Sequence, residues 1–226
     1  MTYKYYPPTE FSFCALMNEY FWCSKRKFLN DPFDTHGEII NRFPLFKAHL
    51  ERRKSKLDTY TTILDNYGIC CFSEEFLNKH LWAFYADSYK GWCLEFDDKE
   101  FENNLSKQEM SKVIYSDVIY LEKWPNFDDF KIKLNYNKSN FTIEEAFEDV
   151  KILDKLFEYI LLVKERKIWK NELEKRFVLG QNFTSLHKVD SQAGYKLPWP
   201  KGILKRIIVG HNIAPSHLEQ LKQIIK

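Results

Sequence analysis

The chain has 226 residues, 44% of them hydrophobic, 17% aromatic and 29% charged, which is ample material for a packed core and excludes an intrinsically disordered chain. Thirty-four Lys and Arg against 32 Asp and Glu leave a net charge of +2, so no global field draws the protein to nucleic acid or anionic lipid, and any basic patch must be local. No stretch approaches 18 uncharged apolar residues and the start MTYKYYPPTE lacks the pattern of a signal peptide, so a cytoplasmic protein without membrane contact is expected.

Tyr3 to Tyr6 reads as a short strand stopped by Pro7 and Pro8, and Glu10 to Glu19 has helical spacing through Phe13, Leu16 and Met17. A second strand, Tyr20 to Ser24, leads into the turn-rich Leu29-Asn30-Asp31-Pro32-Phe33-Asp34. Residues 36–66 are charge-rich and helical in pattern, broken at Pro44. Tyr67 to Ser73 is a strand apolar on both faces and therefore central, with Cys70 and Cys71 on opposite sides. Asn78 caps a short helix carrying Leu81, Trp82, Tyr85 and Ala86, and Lys90-Gly91 turns the chain into the strand Trp92 to Phe96. Val113 to Tyr115 is a further strand.

Thr142-Ile143-Glu144-Glu145 is a capping box that opens the clearest helix, whose apolar stripe runs from Ile143 through Phe157, Ile160 and Leu161. Leu204 to Gly210 has strand character, and Pro215 sits where the first residue of a closing helix belongs. Strands scattered between helices of unequal length, without a βαβ rhythm, point to an α+β fold. One domain over residues 1–226 is expected, with a mixed or antiparallel central sheet and helical insertions at about 36–66 and 126–166.

Five cysteines without a CxxC pair read as reduced, buried thiols, and six scattered histidines without HExxH give no metal site, so no metal is expected. GxGxxG and GxxxxGK[ST] are both missing, which argues against the ordinary dinucleotide and P-loop modes. The basic clusters Lys164, Arg166, Lys167, Lys170 and Lys196, Lys201, Lys205, Arg206 read as solvated charge.

Three segments hold the candidate chemistry. In Trp169 to Leu179, a strand would place Glu172, Glu174 and Arg176 on one face, where three charges must line a cleft or form a network. Spacing alone favours the plainer reading, a continued helix in which Glu172 and Arg176 are a surface pair. Around Leu81 to Asp87 and Gly91 to Phe96, aromatic density suits a core, yet Trp82, Tyr85 and Asp87 each carry a polar atom that a pocket would satisfy. Glu95, Asp97 and Asp98 form a weak oxygen cluster at a strand end.

The third segment is a set whose pieces matter together: Tyr3-Lys4-Tyr5, Phe21-Trp22-Cys23-Ser24, Asn30-Asp31-Pro32-Phe33 and Cys71-Phe72-Ser73. Taken in order with Leu81 to Asp87, Lys90 to Cys93, Val113-Ile114-Tyr115, Trp169 to Arg176 and Ile207 to Gly210, they resemble the family catalogued as domain of unknown function 2971, found in bacteria and their mobile elements. The chain departs from that family's pattern at Tyr6, Phe84 and Asn171.

The layout of the family is similar to that of ADP-ribosyltransferases, including those of toxin and phage-defence systems: an aromatic or basic residue on the first strand, a serine on a middle strand and Glu-x-Glu near the end. The resemblance implies NAD as substrate and a macromolecular acceptor, protein or nucleic acid, with a partner protein from the same operon. It implies Glu174 stabilising the oxocarbenium-like centre, Glu172 orienting the acceptor or acting as base, and Arg176 holding the strand or meeting a phosphate. Tyr3, Lys4, Tyr5, Asn30, Ser73, Trp82, Tyr85 and Asp87 would bind the cofactor, with Trp82 or Tyr85 on the nicotinamide. Two alternatives stand beside it: a recognition or sensor module of a defence system without catalysis, and a metal-dependent nuclease built on Glu95, Asp97, Glu165 and Lys167.

Overall fold

A strand can keep apolar residues on both faces only where both are covered, and Gly68-Ile69-Cys70-Cys71-Phe72-Ser73 meets that condition as β3 (Gly68–Ser73), at the centre of the sheet. The computed structural model describes residues 1–30, 64–107, 113–122, 157–165, 169–180 and 193–225. Before β3 come β1 (Thr2–Tyr6), α1 (Glu10–Met17) and β2 (Tyr20–Lys25). After it follow α2 (Lys79–Phe84), β4 (Trp92–Phe96), α3 (Asp98–Lys107), β5 (Val113–Asp117), β6 (Ile119–Leu121), β7 (Val163–Glu165), β8 (Glu174–Leu179), β9 (Gly194–Pro198), β10 (Leu204–Val209) and α4 (Pro215–Ile224). Eight strands form one sheet in the order β10-β4-β1-β3-β2-β9, with β8 also on β3 and β5 on β8, and each of its pairings is antiparallel. β6 and β7 make a separate parallel pair. The fold class is α+β.

β8 covers one edge of β3 along its whole length, from Gly68↔Leu179 to Ser73↔Glu174. The other edge is divided. β2 pairs there at Gly68 and Ile69, β1 pairs only at Ser73, and neither pairs with Cys70, Cys71 or Phe72. The sheet therefore parts between β1 and β2, and this split positions the candidate site.

The two faces of the sheet differ in chemistry because side chains alternate along each strand. One face is aromatic: Phe21, Phe72, Trp92, Phe96 and Phe177 pack with Phe13 of α1, Phe101 of α3 and Leu221 of α4. Phe72 meets Phe177 edge-on at 5.1 Å and Phe21 at 5.1 Å, the offset geometry that ring quadrupoles favour. The opposite face carries a polar row straight across five strands, Arg206, Glu95, Tyr3, Ser73 and Glu174, through successive register pairs. α2 covers part of this second face with Trp82, against Tyr3 and Cys93.

Gly91 enters β4 where β1 crosses close by, and a Cβ there would lie 1.9 Å from the carbonyl oxygen of Tyr6. Backbone cannot yield as a flexible side chain would. Gly91→Ala is expected to destabilise the protein by about 1–3 kcal/mol, seen as a lower midpoint in urea unfolding; an unchanged midpoint would show that β1 is free to shift.

Several elements differ from the reading of the sequence. The strand placed within Trp169 to Leu179 begins only at Glu174, because Lys170–Glu172 forms a 3-10 turn and Leu173 adopts left-handed backbone at φ 45° and ψ 53°. The helical insertion expected to run to 166 ends earlier: residues 157–162 are helical, but Val163–Glu165 is β7. β6, β9 and α3 carried no signal read from the sequence. The capping box at Thr142 and most of the 36–66 insertion, with its break at Pro44, lie outside the described residues.

Candidate active site

The split is occupied by a cavity of about 300 Å³. Its floor is β3, where Ile69, Cys71 and Ser73 point the same way, and its walls come from β1, β2, the start of α1 and the segment Phe28-Leu29-Asn30 that follows β2. At the Ser73 end stand Tyr85, Lys164, Glu172 and Glu174. This end holds the charged chemistry.

Lys164, on β7, is 5% exposed and places its ammonium 2.8 Å from Glu172 Oε2 and 2.9 Å from Glu174 Oε2. Glu174 takes the heavier share of charge. Arg176 Nε donates to its Oε1 at 2.7 Å and a second guanidinium nitrogen to its Oε2 at 3.2 Å, while a third nitrogen of Arg176 donates to the Leu161 carbonyl at 2.7 Å. Glu172 is held differently: Tyr85 Oη donates to its Oε1 at 3.1 Å, and Ser73 Oγ donates to its backbone carbonyl at 2.8 Å. Asn78, which caps α2 with its oxygen, donates its amide to the Asn171 carbonyl and so ties the 3-10 turn to α2.

The two carboxyls diverge in acidity. Burial raises both, but at Glu174 the Arg176 and Lys164 cations outweigh it and hold the group down at about 2. Burial prevails at Glu172, where Lys164 offsets it only in part, so that carboxyl is raised. Two neighbouring carboxyls pushed apart in this way are the pattern expected of groups with separate roles.

A stability consequence follows with a definite sign. Glu174 is depressed below the unfolded carboxylate value of about 4.3, so its contribution is complete above that value and disappears as pH falls through about 2. Glu172 acts oppositely, since a raised carboxyl favours the protonated native state and its contribution fades as pH rises through its folded value. Acid titration followed by near-ultraviolet circular dichroism should therefore show tertiary structure lost between about pH 4 and 2, and Glu174→Gln should remove that transition. An identical acid limb in the variant would refute the assignment.

Of the residues picked from the sequence, Tyr3, Lys4, Tyr5, Asn30, Ser73, Tyr85, Glu172 and Glu174 line the cavity. Three do not. Trp82 is buried beneath it: its indole nitrogen donates to the Phe76 carbonyl at 2.7 Å, its ring stacks on Tyr89 and Tyr5 meets it edge-on, so no ring face is left for a nicotinamide. Asp87 sits in a positive-φ turn, exposed and 3.3 Å from Lys90. Arg176 is fully buried and holds Glu174, the strand-holding half of its expected role, with no surface for a phosphate.

Lys164 was read from sequence as solvated charge, and the structure corrects this. The missed signal was Ile160-Leu161-Leu162-Val163, an apolar run that would carry a following lysine inward. Phe11, Trp22 and Phe28 also line the cavity without having been singled out as binding residues.

The carboxylates of the oxygen cluster, two of which the nuclease alternative shares, are paired separately: Glu95 with Arg206, Asp97 with Lys205 and Asp98 with the N-terminal ammonium. Glu165 is exposed at the end of β7, a strand and not the helix end expected, and Lys167 lies outside the described residues. Among the described residues no group of three or more His, Cys, Asp or Glu is arranged to hold a metal ion, and no helix is long and apolar enough to cross a membrane.

A family model described as protein of unknown function (DUF2971) matches residues 81–177, in agreement with the resemblance read from the sequence. The match runs from α2 to β8 and includes Tyr85, Lys164, Glu172, Glu174 and Arg176. No curated protein and no solved structure matches the chain.

Proposed function

We propose that this chain is an ADP-ribosyltransferase-like enzyme that cleaves the nicotinamide–ribose bond of NAD and passes ADP-ribose to a macromolecular acceptor. The observation that carries the reading is the Glu172 carboxylate, braced by Tyr85 and Lys164 beside an already ionised Glu174, at the end of a cavity opened by the parting of β1 and β2. A glycosidic centre that develops positive charge needs a fixed negative field, which this pair supplies in a place shielded from bulk water. In the reaction the bond from ribose C1′ to the nicotinamide nitrogen breaks, and its electron pair leaves with neutral nicotinamide. An acceptor oxygen or nitrogen forms the new bond to C1′, and its proton passes to Glu172.

Five free thiols suit the reducing cytoplasm, where NAD and macromolecular acceptors are abundant. A role as a toxin or phage-defence effector, restrained by a protein from the same operon, accords with this chemistry. The test is to incubate the purified protein with NAD, with and without protein or nucleic-acid acceptors, and to follow nicotinamide by chromatography. Release above the spontaneous rate is expected; none under any condition would overturn the reading. One observation favours a second reading, a recognition pocket without turnover: both oxygens of Glu174 are already bonded to Arg176 and Lys164. Saturable NAD binding with no nicotinamide release would select it.

A further inference from the structure

Where β2 leaves β3, two thiols come together. The β2–β3 ladder ends at Ser24↔Ile69, and its register carried one step further sets Cys23 across from Cys70, on the aromatic face of the sheet. Directly opposed antiparallel residues have Cα atoms about 4.5–5.5 Å apart, within the span that a disulfide bridges. The side chains do meet: the Cys23 thiol donates a hydrogen bond to the Cys70 sulfur. Both residues are almost wholly buried, at 0% and 1% exposure.

Their surroundings are not those of an ordinary apolar pair. Lys4 reaches across the split from β1, donating to the Cys71 carbonyl at 2.9 Å and to the Cys70 sulfur. The Tyr6 hydroxyl lies near both sulfurs, buried and without a hydrogen-bond partner among the described residues. Burial raises the Cys70 thiol, but the Cys23 hydrogen bond and the Lys4 cation outweigh it and bring the group down to about 7. At Cys23 burial prevails, so that thiol is pushed well up and keeps its proton. One sulfur is thus an activated thiolate and the other a proton-bearing thiol in contact with it. Lys4 and Tyr6 line the cavity whereas Cys23 and Cys70 do not, so a reagent arriving there meets the cation and the hydroxyl first. A small neutral oxidant suits that approach and a bulky one does not.

We propose that Cys70 and Cys23 are a peroxide-reactive dithiol, with Cys70 as the attacking sulfur, Cys23 as the resolving one, and Lys4 and Tyr6 as the groups that receive the peroxide. The Cys70 thiolate attacks one peroxide oxygen, the O–O bond breaks, and the other oxygen leaves as hydroxide, which takes a proton from solvent to become water. Cys70 is then a sulfenic acid. Cys23 attacks the Cys70 sulfur and gives its proton to the departing hydroxyl; the S–O bond breaks with loss of a second water, and the S–S bond closes. Two electrons pass from the sulfur pair to the peroxide, and a thiol reductant reverses the bond. Oxidation fastens β2 to β3 at the head of the split and leaves Lys4 without the thiolate that balanced it. None of these steps involves NAD or Glu172.

The test is to treat the native protein with hydrogen peroxide, alkylate it in denaturant and map its peptides by tandem mass spectrometry. A Cys23–Cys70 disulfide is expected, reversed by dithiothreitol. A bulky aromatic disulfide (DTNB) should instead label the half-buried Cys14 and Cys71 and spare the pair. Because Cys70 and Cys71 are adjacent, Cys71→Ser should still form the link and Cys70→Ser should not. In Cys23→Ser, Cys70 should stop at the sulfenic acid and take up dimedone. Lys4→Met should slow the link at least about tenfold, since a thiol returned to its ordinary range is only a few per cent ionised at neutral pH, and Lys4→Arg should restore most of the rate. Peroxide that oxidises Cys14 or Cys71 while Cys23 and Cys70 stay reduced would overturn the proposal, as would a wild-type rate in a folded Lys4→Met protein. Should the lysine variants fail to fold, the wild-type map and the cysteine variants decide alone.

Discussion

Arg176→Met is expected to lower the melting temperature by about 10 °C. The guanidinium is fully buried and makes two bonds to Glu174 and one to the Leu161 carbonyl, so methionine fills the volume and leaves both acceptors short of donors. Breaking one side of a buried ion pair costs roughly 3–5 kcal/mol, chiefly because the surviving charge stays out of water, and a chain of this size loses about 2–4 °C for each kcal/mol. Lys164 remains beside Glu174 and softens the loss without cancelling it.

The double variant Glu174→Gln with Arg176→Met removes the stranded carboxylate and should recover part of the deficit. Thermal unfolding followed by circular dichroism distinguishes these outcomes. A single variant that melts with the wild type would mean that this network is open to solvent, and the cavity would then lack the shielding its chemistry requires.

The strands were legible where local rules act alone. Trp92 to Phe96 is bounded by a turn at Lys90-Gly91, Gly68 to Ser73 is apolar on both faces, and Asn78 and Pro215 mark helix starts by the donors they satisfy or lack. The site was legible as a set of residues but not as an arrangement. Glu172 and Glu174 have the i,i+2 spacing of one strand face, yet Leu173 turns left-handed between them and leaves Glu172 in a 3-10 turn, a conformation that costs an L-residue about 1–2 kcal/mol and that no propensity predicts.

Lys164 could not be placed because its partners lie 8 and 10 residues ahead across a chain reversal, and the split that frames Lys4 arises from pairings of β1 and β2 with β3 that are 70 and 45 positions apart in sequence at Tyr3↔Ser73 and Ser24↔Ile69. Such contacts depend on topology. Asp87 shows the converse, a residue that sits in a well-marked aromatic motif and still faces water because Asp87, Ser88 and Tyr89 all take positive φ to turn the chain toward Gly91.

Glu172→Gln is expected to slow nicotinamide release by roughly 100- to 1,000-fold while leaving the melting temperature nearly unchanged. Glutamine keeps the oxygen that accepts from Tyr85, and Lys164, which loses the Glu172 carboxylate, still holds Glu174 at 2.9 Å, so no charge is left without a partner. Glu174→Gln also removes activity but lowers the melting temperature with it, because Arg176 and Lys164 both lose a charged acceptor. The contrast separates a carboxylate that meets substrate from one that positions it. A further signature is the pH profile: Glu172 must be ionised to take the acceptor's proton, so the rate should climb as pH rises through its raised value, and the residual activity of Glu172→Gln should lack that limb. Should Glu174→Gln alone abolish release at full stability while Glu172→Gln retains it, the two roles would have to be exchanged, and the reacting centre would lie deeper, against Arg176.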